Sequence, residues 1–370
     1  MTLEQIAGAG LMLLFLADIF LTVLYARAGT GLIAPYWDRG IWALFRGLAK
    51  LSGRRRGTVL SLAGPAIVVS LIGLWAFGLA VGAAWVIRPE LGTAIRPSSG
   101  DTPTDFVTAL LVAGNSLSIV GGGDYAPHTA GTRLLFLVNS LIGASVLSLV
   151  LSYLVQVYSA LRERNALALT IDLLSDGTGD AAVMLARLLP EGENGDATGE
   201  LGNLVRSVAA TKEAHHFYPL LFYFRFREPH YAVSRFTFLL LDLTALIDTA
   251  LDRQRYGTLI ASAAVAALRR GAMLLLETLD RNFPTHDGGA RDAAEAWRDR
   301  QHYVLATAIL RRAGVAVDLT GVERYVAHRR TWAPIAFRLA PTLGYAPDEI
   351  DMRRIDAPGV SREPDAESGA

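Results

Sequence analysis

The sequence contains no cysteine. This absence excludes disulfide bonds, thiol catalysis and metal sites built from cysteine, and it leaves the redox compartment undetermined. The 35 basic and 35 acidic residues balance to a net charge of zero, so no global field favours nucleic acid as a partner. A nucleophile elbow, a paired-carboxylate motif and a phosphate-binding loop are also missing from the sequence. We therefore expect no enzyme activity, no resident metal and no organic cofactor.

Hydrophobic residues are abundant, at 52% of the 370 positions, and they collect in long runs. The runs 6–26, 58–87 and 134–158 are each long enough to cross a bilayer, which needs about 20 apolar residues. The first run is not a typical signal peptide, because the chain starts Met-Thr-Leu-Glu-Gln without the usual positive charges. The sequence therefore predicts three transmembrane helices.

The first predicted helix contains Asp18, an intramembrane acid. Ionisable residues at membrane depth face protein or water and are candidates for function. A structural hydrogen bond to a neighbouring helix is the alternative interpretation, and the sequence leaves both open.

The stretch 27–57 is rich in basic residues and has a single acid, Asp38. By the positive-inside rule this stretch is cytoplasmic. Its apolar residues recur at helical spacing, which indicates either an interfacial helix of the slide-helix kind or a plain amphipathic connector. In both cases it contacts lipid headgroups.

A short apolar segment, 106–117, precedes the third predicted span and is too short to cross the membrane. Thr102 is its predicted cap, with Pro103 in the first turn and Asp105 completing a capping box. Three consecutive glycines follow within the loop Ser118-Ile119-Val120-Gly121-Gly122-Gly123-Asp124. Glycine loses the most backbone entropy on ordering, so such a run suits backbone that faces a cavity. We predict a re-entrant helix and loop.

This order of elements resembles the pore of the tetrameric potassium-channel superfamily. The residues that match its filter and inner helix in register are Val120, Gly121, Gly123, Asp124, Pro127 and Gly143. The resemblance implies a homotetramer in which the loop 118–124 is an ion-conducting filter for monovalent cations, K⁺ or Na⁺. It also implies a hinge at Gly143.

Two positions depart from the family pattern. Ile119 stands where the family has a threonine, and Gly122 stands where it has an aromatic residue. The pore-helix positions that would pack on this aromatic residue are Leu111 and Val112, which also lack rings. These departures put potassium selectivity in question and keep three alternatives open: a potassium-permeable channel, a nonselective monovalent cation channel and a non-conducting fold.

Residues around the loop complete the predicted site. Asn115 on the pore helix is predicted to support the filter by a hydrogen bond toward Asp124. On the third span, Ser140, Ala144, Ser148 and Ser152 form one small, weakly polar stripe at a spacing of four. The stripe either lines a wet cavity or lets helices approach closely, and Gly143 beside it is either a hinge or a packing contact.

The fold class expected is an all-α membrane protein with three transmembrane helices, one re-entrant pore helix with its filter loop, and a cytoplasmic helical bundle. The expected domains are a transmembrane helix at 1–26, an interfacial segment at 27–57, a pore domain at 58–160, a helical domain at 161–356 and a disordered tail at 357–370. Within the helical domain, His215 and His216 are adjacent and lack the spacing of a metal pair.

The sequence therefore predicts a tetrameric, potassium-permeable pore-loop channel with a helical domain that assembles or gates it. A membrane-anchored signalling or scaffold protein is the alternative from another class. The expected location is a plasma membrane of the bacterial inner-membrane type, with the N-terminus outside and the C-terminus in the cytoplasm. The expected partners are membrane lipids, further copies of the chain and an unidentified cytoplasmic ligand or protein.

Overall fold

The computed structural model describes residues 2–25, 31–118, 123–283, 293–351 and 353. The chain divides into two compact units. The membrane unit consists of Met1–Ala160 with His215–Phe224, and the helical unit consists of Leu161–Ala214 with Arg225–Ala370. The predicted all-α fold is confirmed, since one pair of three-residue strands is the only sheet in the described part of the chain.

Among the described residues, six α-helices build the membrane unit. They are α1 (Leu3–Ile19, continued by a π-helical turn, Phe20–Leu24), α2 (Ala34–Leu51), α3 (Arg56–Ser61), α4 (Ala63–Ile87), α5 (Phe106–Leu117) and α6 (Ala130–Leu174), of which the part up to Ala160 belongs to this unit. Within the part of the chain that the structure describes, three segments are long and apolar enough to cross a membrane: Leu3–Leu24, Arg56–Glu90 and Ala130–Leu174. These confirm the three predicted spans, although α6 continues well beyond the predicted end at 158.

Small residues bring α1 and α4 close together. A Cβ atom built on Gly8 would lie 2.5 Å from the carbonyl oxygen of Gly82, and one on Gly78 would lie 2.2 Å from the ring of Phe15. Such positions admit only glycine. In a membrane, where lipid tails are as apolar as the side chains, close backbone approach is a main source of helix association.

The amphipathic stretch forms a single helix, α2, as its spacing predicts. Its buried residues are Ala34, Trp42 and Ala49. The indole Nε1 of Trp37 donates a hydrogen bond to Ser70 Oγ on α4 at 3.0 Å, which attaches α2 to the second span.

Ten residues that follow most of α8 in the chain belong to the membrane unit. We call His215–Phe224 the aromatic segment. Its ring contacts within this unit have centroid distances between 5.7 and 5.9 Å and pair Tyr223 with Trp42, Tyr218 with Tyr153, and Phe224 with Tyr158. The sequence predicts a helical domain over 161–356, and the contacts of these ten residues group them with the membrane unit.

The helical unit contains α7 (Ala181–Leu188), most of α8 (Ala197–Phe217), α9 (Val233–Ala250), α10 (Arg253–Ile260), α11 (Ala263–Asn282), α12 (Ala293–Arg312), α13 (Val322–Thr342) and α14 (Pro347–Ile350). Every residue of α9 except Asp248 is buried. Helices α7, α11, α12 and α13 pack around it, so α9 is the central helix of this unit, as its apolar run predicts. Helices α10 and α11 meet at a 62° bend, and counted together they form a fourth candidate span.

Candidate functional site

The re-entrant helix α5 begins directly after Asp105, which caps it. The Asp105 Oδ1 atom accepts hydrogen bonds from the backbone N–H groups of Val107 at 2.9 Å and Thr108 at 3.0 Å. The predicted cap at Thr102 is therefore wrong. The Asp105 carboxylate satisfies two of the free N–H groups. Its negative charge also interacts favourably with the positive end of the helix dipole, whereas a threonine hydroxyl carries no charge.

One side of α5 is buried against α4. Ala109, Val112 and Ala113 are fully buried, whereas the side chain of Leu111 is 57% exposed in the protomer. The two α5 positions that would pack on an aromatic residue of the loop therefore differ in environment. Val112 packs inside the protomer, and Leu111 points out of it. Neither carries a ring.

The C-terminal end of α5 is pressed against α6 at Gly143. A Cβ atom built on Gly143 would lie 1.7 Å from the carbonyl oxygen of Leu117, the last residue of α5. No side chain fits in this space. Gly143 therefore lies at a close contact between α5 and α6, and the sequence leaves both a hinge and a packing role open for it.

A second contact between the same two helices is polar. Asn139 Nδ2 donates a hydrogen bond to Ser116 Oγ at 3.0 Å, and both residues are buried. Ser116 Oγ in turn donates to the carbonyl oxygen of Ala113. Four residues apart on α6, Asn139 and Gly143 thus fix the pore helix at two successive turns. The sequence analysis missed Asn139, although an isolated amide in an apolar span is a signal for such a bond.

The structure describes both ends of the predicted filter loop. At the entry, Ser118 leaves the helix with extended backbone, and its Oγ donates a hydrogen bond to the carbonyl oxygen of Asn115 at 3.0 Å. The middle residues Ile119, Val120, Gly121 and Gly122 lie outside the described residues.

At the exit, Gly123 has a φ of +58°, in the left-handed region that favours glycine. A Cβ atom on Gly123 would lie 3.1 Å from Asn115 Nδ2, so Asn115 packs directly behind this glycine. The predicted hydrogen bond from Asn115 to Asp124 does not occur among the described contacts. Asp124 itself is exposed in the protomer.

A small antiparallel ribbon holds the segment that follows the loop. Strand β1 (Ile95–Pro97) pairs with β2 (Tyr125–Pro127), with Arg96 opposite Ala126. The ribbon continues in a hydrogen bond from His128 N to the carbonyl oxygen of Ala94 at 2.9 Å. The chain before α5 and the chain after the loop are therefore joined, which the sequence analysis did not predict.

The stripe on the inner helix faces away from the protomer core. Ser140, Ala144, Ser148 and Ser152 are all exposed, whereas Val150, Tyr153 and Val157 on the other side of α6 are buried. The strongly apolar window of α6 is only 11% buried within one chain. This helix therefore presents a long face, small and weakly polar along one line, to surroundings outside the protomer.

Asp18 is fully buried and accepts hydrogen bonds from residues of the membrane unit. Its Oδ1 accepts from the backbone N–H groups of Ile33 at 2.7 Å and Ala34 at 3.3 Å, and its Oδ2 accepts from Trp75 Nε1 at 2.7 Å. Asp18 thus caps the N-terminus of α2 from a different helix. This is the structural alternative that the sequence left open.

In the helical unit, charged side chains meet in what we call the ionic cluster: Asp242, Asp299, Arg329, Asp351 and Arg353. Arg329 is 2% exposed and donates to Asp242 and Asp299, each at 2.8 Å. Arg353 donates to Asp242 at 2.7 Å. Burial alone would raise the pKa of Asp242, but the charges of Arg353 and Arg329 hold it below its ordinary value.

His302 borders the ionic cluster with its Nδ1 atom 3.9 Å from Asp351 Oδ2 and without a hydrogen-bond partner. Burial and the nearby charge of Arg353 lower the pKa of His302 to about 3, so this ring is neutral at physiological pH. The sequence analysis missed this cluster. The signal available was Asp242, an acid inside an apolar helix that requires a buried partner.

The adjacent histidines lie at the start of the aromatic segment. His215 is fully buried and stacks on Phe222 with a centroid distance of 4.5 Å. Within the residues that the structure describes, no group of three or more histidine or acidic side chains is arranged to hold a metal ion.

Comparison with known proteins agrees with the geometry. A family model described as "Ion channel" matches residues 74–160, which include most of α4, the whole of α5, the loop and the membrane part of α6. The chain is also similar to the uncharacterized membrane protein YdjJ of Bacillus subtilis, with 25% identity over 174 residues. That match covers 47% of this chain and 50% of the relative, so the chain spans about half the length of the curated relative it matches. No solved structure matches the chain.

The family match covers the segment in which the short capped helix α5 ends against Gly143. In the sequence, the glycine-rich loop follows this helix and precedes α6. Over residues 74–160, this chain is therefore similar to ion channels of the potassium-channel superfamily.

Proposed function

We propose that this protein is a homotetrameric pore-loop cation channel that is permeable to potassium. The observation that carries the proposal is the contact between Leu117 and Gly143, where the pore helix ends against the inner helix. This contact sets the starting point of the loop 118–124. Irregular backbone at membrane depth is tolerated where it lines a cavity, and this loop has the composition for that role.

Backbone carbonyls explain how such a loop conducts a cation. Rings of carbonyl oxygens replace the hydration shell of the ion when several copies of the loop surround one axis. One chain supplies one loop, so the pore requires four chains. The exposed face of α6, including Ala144, Ser148 and Ser152, supports this assembly because it leaves a surface for the cavity and for neighbouring subunits.

Two residues of the loop differ from those that give potassium channels their strict selectivity. Ile119 supplies no hydroxyl oxygen at the innermost position, and Gly122 supplies no ring to brace the loop. The carbonyls of the remaining loop residues are then held less stiffly. These two residues favour a second candidate within the same class, a nonselective monovalent cation channel.

The remaining parts of the protein have roles that follow from this assembly. We propose that the helical unit assembles or gates the tetramer, and that α2 lies at the membrane surface among lipid headgroups. The basic residues of 27–57 favour a plasma-membrane orientation with the N-terminus outside and the helical unit in the cytoplasm.

The test is ion flux through the full-length protein in liposomes, with potassium and then sodium gradients. Gly123→Ala tests whether ions pass along the loop 118–124, because φ at this position is +58° and a Cβ atom would press on Asn115. Gly114→Ala is the matched control, since a Cβ atom on Gly114 of α5 meets no atom within 4 Å. We expect flux in the wild type and in Gly114→Ala, and little flux in Gly123→Ala.

Selectivity is tested with an Ile119→Thr plus Gly122→Tyr double variant. Potassium flux above sodium flux in the wild type supports a potassium channel. Equal fluxes that become potassium-selective in the double variant support the nonselective candidate and assign the difference to these two positions. An intact tetramer without flux at any pH, in wild type and variant alike, contradicts the channel and favours a membrane-anchored scaffold.

A further inference from the structure

The acid Asp38 of α2 has an unusual environment. It is half-buried, and its Oδ1 atom is removed from solvent without a hydrogen-bond partner. In contrast, Asp18 nearby satisfies both of its carboxylate oxygens. Placing an unpaired carboxylate away from water is costly in its ionised form. No hydrogen bond to Oδ1 therefore stabilises the ionised form of Asp38 in the described contacts.

Asp38 interacts electrostatically with titratable groups on several elements of the membrane unit. Asp18 of α1 and Arg39 of α2 act on Asp38 with opposite signs. Tyr153 of α6 and Tyr223 of the aromatic segment are both buried and lie near enough to feel the charge of Asp38. Tyr218 in turn acts on Tyr153, and α4 carries no titratable residue between Ala63 and Ile87.

Arg39 is the only cation among these groups, and it does not form a close ion pair with Asp38 in the described contacts. Its charge acts on Tyr223 as well as on Asp38. Burial, followed by the negative charge of Asp18, raises the pKa of Asp38 to about 7, against the opposing effect of Arg39. Asp38 therefore changes charge close to neutral pH, whereas an ordinary aspartate does so near pH 4.

The position of Asp38 gives this charge a structural consequence. Its charge acts on Tyr223 of the aromatic segment and on Tyr153 of α6. One helical turn further along α2, Trp42 stacks on Tyr223 with a centroid distance of 5.7 Å. A neutral carboxyl group is compatible with this packing of rings. An ionised carboxylate, in contrast, is stabilised when the packing loosens and water reaches it.

We propose that Asp38 is a proton-binding site that controls the packing of α2 against the aromatic segment. Protonated Asp38 keeps Trp42 packed on Tyr223. When Asp38 releases its proton to water, α2 separates from Tyr223. The proton site stands independently of conduction, whereas its effect on ion flow rests on the proposed channel function.

The protonation itself can be observed by infrared difference spectroscopy of the full-length protein in lipid, on either side of pH 7. We expect a carboxylic-acid carbonyl band that titrates near neutrality in the wild type. Asp38→Asn, which mimics the neutral form, should lack the band. Glu163→Gln, which removes an exposed acid of α6, should keep it. A band that persists in Asp38→Asn would overturn the proposal.

The packing change can be followed by thiol labelling, because the chain has no native cysteine. Ala49→Cys places a thiol at a residue of α2 that is 2% exposed, and Leu51→Cys places one at a residue of the same helix that is 86% exposed. The ratio of the two labelling rates removes the pH dependence of the thiol itself. We expect this ratio to rise by up to about tenfold per pH unit below the midpoint and to level off above it, and to stay constant in an Asp38→Asn background.

Flux measurements separate the two proposals. A pH-dependent flux that becomes pH-independent in Asp38→Asn supports the switch as a gate. Labelling that responds to Asp38 without flux at any pH supports the proton site and contradicts the channel. A labelling ratio with the same pH dependence in both backgrounds overturns the switch, whatever the flux.

Discussion

The indole Nε1 of Trp75 on α4 donates a hydrogen bond of 2.7 Å to Asp18 Oδ2 on α1, and both side chains are buried. The other carboxylate oxygen of Asp18 accepts from the first N–H groups of α2. A single acid therefore connects three helices. Its negative charge lies at the positive end of the α2 dipole, which compensates for the absence of a capping side chain on α2 itself.

Replacing Asp18 should destabilise the membrane unit. Asp18→Ala leaves the indole N–H and the N–H of Ala34 buried without an acceptor, which costs about 3 kcal/mol. The thermal unfolding midpoint of the purified protein in detergent measures the effect. Glu4→Gln is a suitable control, because Glu4 forms a partly exposed ion pair with Arg88 and should change the midpoint little. Equal midpoints for both variants would contradict the structural role of Asp18.

Gly143→Ala should displace the pore helix. The added Cβ atom would overlap the Leu117 carbonyl oxygen, so α5 and α6 must separate, at a cost of about 3 kcal/mol. The matched control is Gly131→Ala on the same helix, where a Cβ atom meets nothing within 4 Å. There alanine should be neutral or stabilising by up to about 1 kcal/mol.

Thermal unfolding of the two glycine variants, together with flux, distinguishes packing from hinge motion. Loss of stability in Gly143→Ala alone agrees with the close contact. Unchanged stability with a selective loss of flux would show that Gly143 acts as a hinge and that the contact with Leu117 is dispensable.

Arg329 should be among the most sensitive positions in the helical unit. Arg329→Met removes the buried cation between Asp242 and Asp299, and breaking a buried ion pair in this way costs about 3–5 kcal/mol. Arg300→Met removes the exposed partner of Glu323 and should have little effect. Proteolysis of the full-length protein reports on this unit. Similar cleavage rates for the two variants would contradict the importance of the ionic cluster.

His302 should make the stability of the helical unit depend on pH. Its pKa is about 3 in the folded protein and 6.5 in a model peptide, so the unfolded chain binds more protons between these values. Stability should therefore fall as pH decreases below 6.5, by at most about 1.4 kcal/mol per pH unit. Above about pH 5 the carboxylates of the cluster stay ionised and do not contribute to this slope.

Unfolding free energy measured between pH 5 and pH 7 tests this slope. His302→Gln should flatten it, whereas His128→Gln, which changes an exposed histidine of the membrane unit, should leave it unchanged. A slope that persists in His302→Gln would assign the pH dependence to another group.

The sequence predicted those features that a local run of residues determines. Three apolar spans, the short re-entrant helix and the glycine-rich loop all follow from hydropathy, length and backbone entropy. The buried character of α9 followed in the same way, because its run is short and contains Asp242. The cap of α5 was misplaced because Thr102 and Asp105 both fit a capping position, and only the observed start of the helix decides between them.

Contacts between distant residues could not be predicted in this way. Asp242 and Arg329 are 87 positions apart, and Asp18 and Trp75 are 57 positions apart. Neither separation follows from a helical repeat. The aromatic segment is a further case, since its rings suit the core of any unit and nothing local indicates that Tyr218 and Tyr223 pack in the membrane unit.

The two anchored ends of the filter loop limit how the loop can change. Ser118 is fixed through Asn115 and the end of α5, whereas Gly123 lies against Asn115 and continues into the β1–β2 ribbon. Four residues join these fixed points. A substitution among the four alters the chemistry of the loop, but an inserted or deleted residue changes its length against a fixed span. The loop can therefore tolerate variation in its side chains and should not tolerate variation in its number of residues.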